Sequence, residues 1–434
     1  MKKISNCYNN NTFSAEYQSQ IHNLTQKFGK GKIMNAIGII CELNPPHAGH
    51  KLLFDFAREK AKEHAIVAVM SGNFVQRGEP AVFPKHRRAD AALLAGADLV
   101  LELPLPYALS SAEGFASAGV AILRATGIVD TLAFGAECGD LAQLKRIAEA
   151  FARPEFEQLI RDELKNGRSY AQACQTALEG TLDGDAAGAA VLQSPNNMLG
   201  IQYLRAINSC GDDGAGATIP VSADSSGGNG SFCGIKMDAI CLKREPGITA
   251  SGLRGAIRDG KEAPENLLPA KDYGEPIFPE HLEIAMLSRI RALTEAEFHK
   301  APGGTDGIAE RALRLCGSAG SISELAQIIK TKRHTLSRVR RYLMCLALGI
   351  TSDCPKLPPY LRVLGANEAG HAMLKSMNAT LPVITKPADG RKLGGEVARL
   401  LELEAAATDF YNLGYKAPEL RRGGAEWRIS PVSL

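Results

Sequence analysis

A chain of 434 residues is too long for one comfortable core and predicts two or three domains that each bury most of their apolar surface. A hydrophobic fraction of 45%, a charged fraction of 22% and a formal charge of +3 suit an ordinary soluble globular protein; they exclude a partner chosen by bulk charge, so any basic surface must be local. Ten cysteines without a C-x-x-C pair or a zinc-spaced Cys/His cluster point to no disulfide framework and no metal site, no apolar run nears the roughly 20 residues that span a bilayer, and no secretory signal opens the chain, so a cytoplasmic location without membrane attachment is expected.

Residues 1–33 are rich in Asn, Gln and Ser and carry no sustained period, which predicts a weakly structured extension, with Met34 as a second candidate start directly before the first strand. From Asn35 the pattern alternates. The run "AIGIICEL" is followed by a helical stretch from Gly49, then "AIVAVMS", a helix from Lys85 to Ala95, "DLVLELP", a helix from Ser111 to Ala125, and "TLAFGAE". Runs apolar on both faces and spaced by helices predict an α/β fold whose parallel sheet is covered on both sides. Helical sequence continues through 141–178 and from "SPNNMLGIQYLRAI", where Ser194 is placed as N-cap and Pro195 at the first helical position. The Gly/Ser-rich stretch 211–234 reads as a flexible connector, "MDAICLKRE" as a strand, and "TASGLRGAI" as a helix capped by Thr249 or Ser251. This α/β unit is expected to span 34–262. Beyond it, 263–434 reads as mainly helical, with "YLRVLG" and "LPVIT" as two short strands.

The motif "HAGH", His47 to His50, stands at the end of the first strand and the start of a helix. Parallel sheets bind ligands beyond the C-terminal ends of their strands where strand order reverses. A glycine there permits close approach, and the helix start offers free N–H groups and a positive dipole end to an anion. Two imidazoles beside it suit the charge that builds on a leaving pyrophosphate during attack at an α-phosphorus. "TASGLR" supplies a second anion-binding helix start, with Ser251 in its first turn and Arg254 one turn later, and the pair suggests a nucleoside triphosphate. Lys85, with Arg87 and Arg88 behind it, either brings a charge to those phosphates or belongs to a solvated helix face. The run "KTKRHTLSRVRR" concentrates Lys330, Lys332, Arg333, Arg338, Arg340 and Arg341 without an acid. It reads either as an RNA-phosphate stripe or as a solvated face.

With these motifs the sequence resembles the HxGH-type nucleotidyltransferase superfamily and, within it, the bacterial tRNA(Met) cytidine acetate ligases. The resemblance runs from Asn35 through "GIICELNPPHAGH", "MSGNFVQRGEPAVFPKHRRADAALLAGADLVLELP", "FGAE", "SPNNMLGIQYLRAI", "TASGLR", "PPYLRVLGAN", "LPVITK" and "ATDFYNL". It implies a Rossmann-like nucleotidyltransferase domain with a mainly α-helical, tRNA-binding C-terminal half. It implies activation of acetate by ATP, with Mg²⁺ accompanying the ATP, to acetyl-adenylate, and acetylation of the wobble cytidine of elongator tRNA(Met), with His47 and His50 as catalytic residues. No protein partner is implied. Carried over, the ATP-binding segment falls on Ile40, Cys41, Glu42, Leu43, Asn44, Pro45, Pro46, His47, Ala48, Gly49, His50, Lys51, Leu52 and Leu53. Further nucleotide contacts fall on Gly135, on Asn196 or Asn197, and on Arg244 before the "TASGLR" helix. Pro46 and Ala48 stand where the family usually has Phe and Asn, and the stretch before Arg244 departs from the family's pattern. The other readings are an HxGH adenylyltransferase acting on a phosphorylated cofactor precursor, which would need less chain, and a nucleotide-sensing RNA-binding module.

Overall fold

The computed structural model describes residues 35–61, 64–166, 168, 170–181, 191–209, 236–244, 247, 249–260 and 266–434. The expected extension 1–33, the Met34 start, the connector 211–234 and the division at residue 262 lie outside the described residues.

The first strands carry the doubly apolar pattern that the sequence predicts. In β1 (Ala36–Cys41), β2 (Ala65–Ser71) and β5 (Leu99–Leu103) every residue is buried. Alternate side chains of β1 serve opposite layers. Ile37, Ile39 and Cys41 join Phe54 and Ala57 of the helix Ala48–Ala61, whereas Ala36 and Ile40 join Phe115, Val120 and Leu123 of the helix Ala112–Ala125. Ser111 caps that second helix by accepting from the Gly114 amide.

β1 pairs in parallel with β2 on one side and with β6 (Val129–Ala136) on the other; β5 extends the first side and β7 (Asp238–Lys243) the second. Strand order therefore reverses at β1, and the loop after Cys41 opens at the switch point. Between β2 and β5 a small antiparallel hairpin, β3 (Phe74–Val75) with β4 (Glu79–Pro80), leaves the sheet.

The C-terminal part packs directly on the α/β part. Its helices Glu283–Arg291, Ile308–Leu315, Ile322–Ile329 and Leu336–Leu348 share an apolar cluster with Phe74, Leu105 and Leu109 of the α/β part. Its strand β8 (Leu361–Ala366) then pairs antiparallel with β5, and β9 (Val383–Ile384) and β10 (Val432–Ser433) pair in parallel with β8. The sheet thus gains an edge from residues that the sequence reading assigned to the helical half. Burial explains why: without β8, the β5 edge would leave its ladder groups unpaired. Among the described residues no helix is long and apolar enough to cross a membrane.

Candidate active site

The histidine loop is held from two directions. Leu43 turns the backbone in the left-handed region at φ 50° with its side chain fully buried. Buried Asn44 accepts from the Val82 amide at 2.8 Å, and the Glu42 carboxylate accepts from the Gln76 amide at 2.7 Å; burial pushes that carboxyl upward. On the other side, the Ala48 amide donates to the Asn266 carbonyl at 2.8 Å and the Leu268 amide to the Pro46 carbonyl at 3.1 Å.

Within this frame the two imidazoles are neighbours, with ring centroids 3.8 Å apart and planes inclined by 33°. Each is fixed through Nδ1. The His47 amide donates to His50 Nδ1 at 3.2 Å, and the Gly49 amide to His47 Nδ1 at 3.1 Å. Burial, reinforced by the Arg244 guanidinium, pushes His47 down to about 4. Burial first, then His47 and Arg244, hold His50 well below the ordinary histidine range. A neutral imidazole that accepts at Nδ1 carries its proton on Nε2. Both rings therefore keep Nε2–H as a donor, with no partner among the described residues. Gly49 protects this arrangement, since a Cβ there would stand 3.0 Å from His47 Cε1 and 3.1 Å from its Nδ1. Lys51, in the first turn of the same helix, pairs with Asp55.

The second helix start, Ala250–Arg258, is capped by Thr249, whose hydroxyl accepts from the Gly252 amide at 3.2 Å. Arg254 donates to the Asn44 carbonyl at 2.8 Å and to the Ser251 hydroxyl at 2.9 Å, and so ties this start to the histidine loop. Arg244 leaves β7 with its amide on the Ala136 carbonyl at 2.9 Å, and its stem lies along Gly135, where a Cβ would stand 3.2 Å from Arg244 Cγ. The fold thus gathers His47, His50, Gly135, Arg244, Ser251 and Arg254 at the switch point. Asn196 and Asn197 differ. Asn197 is buried, its Oδ1 accepting from the Cys138 amide at 3.0 Å and its Nδ2 donating to the Val191 carbonyl at 3.0 Å. Asn196 is half-buried and donates to Glu137 at 2.6 Å, leaving its side-chain carbonyl unengaged among the described residues.

Comparison with known proteins finds matches over nearly the whole chain. The family described as HIGH Nucleotidyl Transferase matches residues 34–231 and 233–426. The tRNA(Met) cytidine acetate ligase of Acetivibrio thermocellus is 35% identical over 91% of this chain and 98% of its own. That of Caldanaerobacter subterraneus subsp. tengcongensis is 35% identical over 88% and 96%. The chain belongs to the tRNA(Met) cytidine acetate ligase family. Among solved structures, Thermotoga maritima TmcAL bound with alpha-thio ATP superposes with a TM-score of 0.81 at 29% identity, covering 92% of this chain and 100% of that one. The apo form of the same protein superposes equally well.

Against this family background, Lys85 requires correction. Its ammonium is engaged by buried glutamates and not by the histidine loop. The side chain is 1% exposed and its Nζ lies 2.7 Å from Glu102, 3.0 Å from Glu426 and 3.7 Å from Glu404. Glu102 and Glu426 take up its charge, so it has none to offer a phosphate. Arg87, one helix face away, is exposed and paired with Asp272 at 3.2 Å. Arg88 has the role that sequence reasoning missed. Fully buried, it donates to the carbonyls of Phe83 at 2.8 Å, Glu42 at 2.5 Å and Gly72, clamping the loops that follow β1 and β2. Nothing in "KHRR" separates these cations, because helical phase alone decides which face is inward.

The basic run is likewise divided. Arg338 is bound to Asp306 and Thr305, each at 2.8 Å, Arg340 to Glu79 at 2.9 Å, and Arg341 to the Gln76 carbonyl at 3.4 Å. These three dock the helix Leu336–Leu348 onto its surroundings. Lys330, Lys332 and Arg333, by contrast, are exposed, and their side chains have no partner among the described residues. Only this half of the run presents free cations.

Proposed function

We propose that this chain is an ATP-dependent tRNA(Met) cytidine acetate ligase. The observation that carries the reading is the pair of neutral Nε2–H imidazoles, held 3.8 Å apart at the strand-order reversal and joined by Arg254 to a second helix start. Acetate attacks the α-phosphorus of ATP, one acetate oxygen bonds to phosphorus, and the bond to the bridging oxygen of pyrophosphate breaks. Negative charge then grows on that oxygen, where preorganised donors stabilise the transition state more than the ground state. His47 and His50 are those donors, with Arg244, Arg254 and the two helix starts binding the phosphates. Gly135, Ser251 and Asn196 line the nucleotide. In the second step the exocyclic amine of the wobble cytidine of elongator tRNA(Met) attacks the acetyl carbonyl and AMP leaves. Among the described residues no group of three His, Cys, Asp or Glu is placed to hold a metal. Mg²⁺ arrives with ATP as its chelate, and no step is derived from a protein-held ion. The exposed cations Lys330, Lys332 and Arg333 meet tRNA phosphates.

The deciding experiment measures pyrophosphate release from ATP with acetate alone, with acetate plus tRNA(Met), and with phosphorylated cofactor precursors, beside acetylation of the tRNA. Acetate-dependent release and acetylated cytidine are expected; release only with a phosphorylated precursor would overturn the reading in favour of a cofactor adenylyltransferase.

A further inference from the structure

The hairpin β3–β4 projects between the histidine loop and the helix Leu336–Leu348, and it is clamped on both sides. Toward the loop, the Gln76 amide donates to Glu42 at 2.7 Å. Toward the helix, Glu79 pairs with Arg340 at 2.9 Å and the Gln76 carbonyl accepts from Arg341, while Phe74 meets Tyr411 of the helix Gly395–Asn412 edge-on at 6.0 Å. The three-residue loop Gln76-Arg77-Gly78 closes by the Gly78 amide on the Val75 carbonyl at 2.9 Å, with Gly78 at φ 76°. Only glycine suits that site: besides the left-handed backbone, a Cβ would meet the Arg341 backbone nitrogen at 2.5 Å.

So rigid a mount holds one residue outward. Arg77 is exposed at the tip and has no hydrogen-bond or ion-pair partner among the described residues. Its guanidinium is within electrostatic reach of Glu42 and of Arg254. Glu42 does not neutralise it, being half-buried and already bound to the Gln76 amide, and Arg254 repels it. An exposed guanidinium on a fixed mount, without a bonded carboxylate, awaits an anion.

We propose that Arg77 binds a backbone phosphate of the RNA strand that presents the reacting cytidine. RNA is favoured over ATP because the ATP phosphates have their own donors on the two helix starts and Arg244, whereas the hairpin is docked on the helix that follows the exposed cations Lys330, Lys332 and Arg333. The inference rests on the tRNA ligase reading and adds a contact beside the reacting centre.

The test compares wild-type protein with Arg77→Gln and Arg77→Lys. Acetate-dependent pyrophosphate release is measured without tRNA, and tRNA(Met) binding and acetylation are measured at several salt concentrations. For Arg77→Gln, unchanged release without tRNA is expected, with a raised KM for tRNA and a log-log salt slope shallower by about 0.7 to 0.9, the value of one phosphate that the protein no longer neutralises. Arg77→Lys should retain the slope, which counts charges, and this separates phosphate binding from a structural role. An equal fall in tRNA-free release would transfer the interaction to ATP, and an unchanged salt slope would leave Arg77 a solvated charge; either result overturns the proposal. Wild-type protein that fails to acetylate tRNA(Met) would instead sink the underlying ligase reading.

Discussion

Replacing Lys85 with Met removes the only ammonium from a buried group of three carboxylates. Glu102, Glu404 and Glu426 are each at most 4% exposed in their side chains, and the remaining cation, Arg362, reaches only Glu426, at 3.7 Å. Breaking a buried ion pair from one side costs about 3–5 kcal/mol, because the charge left behind is neither solvated nor paired. Against a usual folding stability of about 5–15 kcal/mol this is a large fraction, equivalent to an increase of about 10²–10⁴ in the unfolded-to-folded ratio. Urea unfolding at pH 7 should show the loss as a lower midpoint. Lowering the pH should recover part of it by protonating the stranded carboxylates, and Glu102→Gln in the same chain should recover part of it at pH 7. Pyrophosphate release per folded molecule should be close to normal. A Lys85→Met protein with wild-type stability but weakened ATP binding would refute this account and return Lys85 to the nucleotide site.

Alanine in place of His47 or His50 should lower acetate-dependent adenylation by about 10²–10³, the cost of removing one preorganised donor, with a much smaller change in ATP affinity; near-normal rates in both variants would remove the assignment. Because burial and Arg244 push His47 down to about 4 and His50 is also depressed, kcat/KM for adenylation should show no histidine inflection near pH 6.5, and activity carried by the neutral rings should fall only as the pH drops toward about 4. Burial, then Glu102, raises Glu404 from an ordinary 4.5 to about 8. The folded state thus holds a proton that the unfolded state releases. Stability from this group is complete below about 4.5 and is lost as the pH rises through about 8, and Glu404→Gln should flatten the stability profile over that window. Neutralising Lys330, Lys332 and Arg333 together should reduce the salt slope of tRNA binding by about 0.7 to 0.9 for each phosphate released from its cation without altering tRNA-free adenylation. Neutralising Arg338, Arg340 and Arg341 should mainly lower the thermal midpoint.

Much of the architecture was legible because its signals are local. Doubly apolar runs placed β1, β2 and β5, and the Ser111 and Thr249 caps are satisfied by amides three residues on, within reach of any sequence reading. "HAGH" marked the strand end where order reverses, and its glycine spacing was enough to place both rings at one helix start. The family resemblance added Gly135 and Arg244, which no spacing could have joined to it. Tertiary structure decided the rest, since charge has no direction in a sequence. Lys85 and Arg88 lie in the same "KHRR", yet one is neutralised by Glu426, more than 300 residues away, and the other clamps Glu42 and Gly72 through their carbonyls. The basic run looked uniform, but Glu79 and Asp306 claim Arg340 and Arg338 and leave Lys330, Lys332 and Arg333 exposed. The protonation pattern of the two histidines was equally out of reach. Neutrality comes from burial and from Arg244 just beyond a distant strand, and Nδ1 acceptance comes from amides that point at the rings only once the loop is folded between Val82 and Asn266.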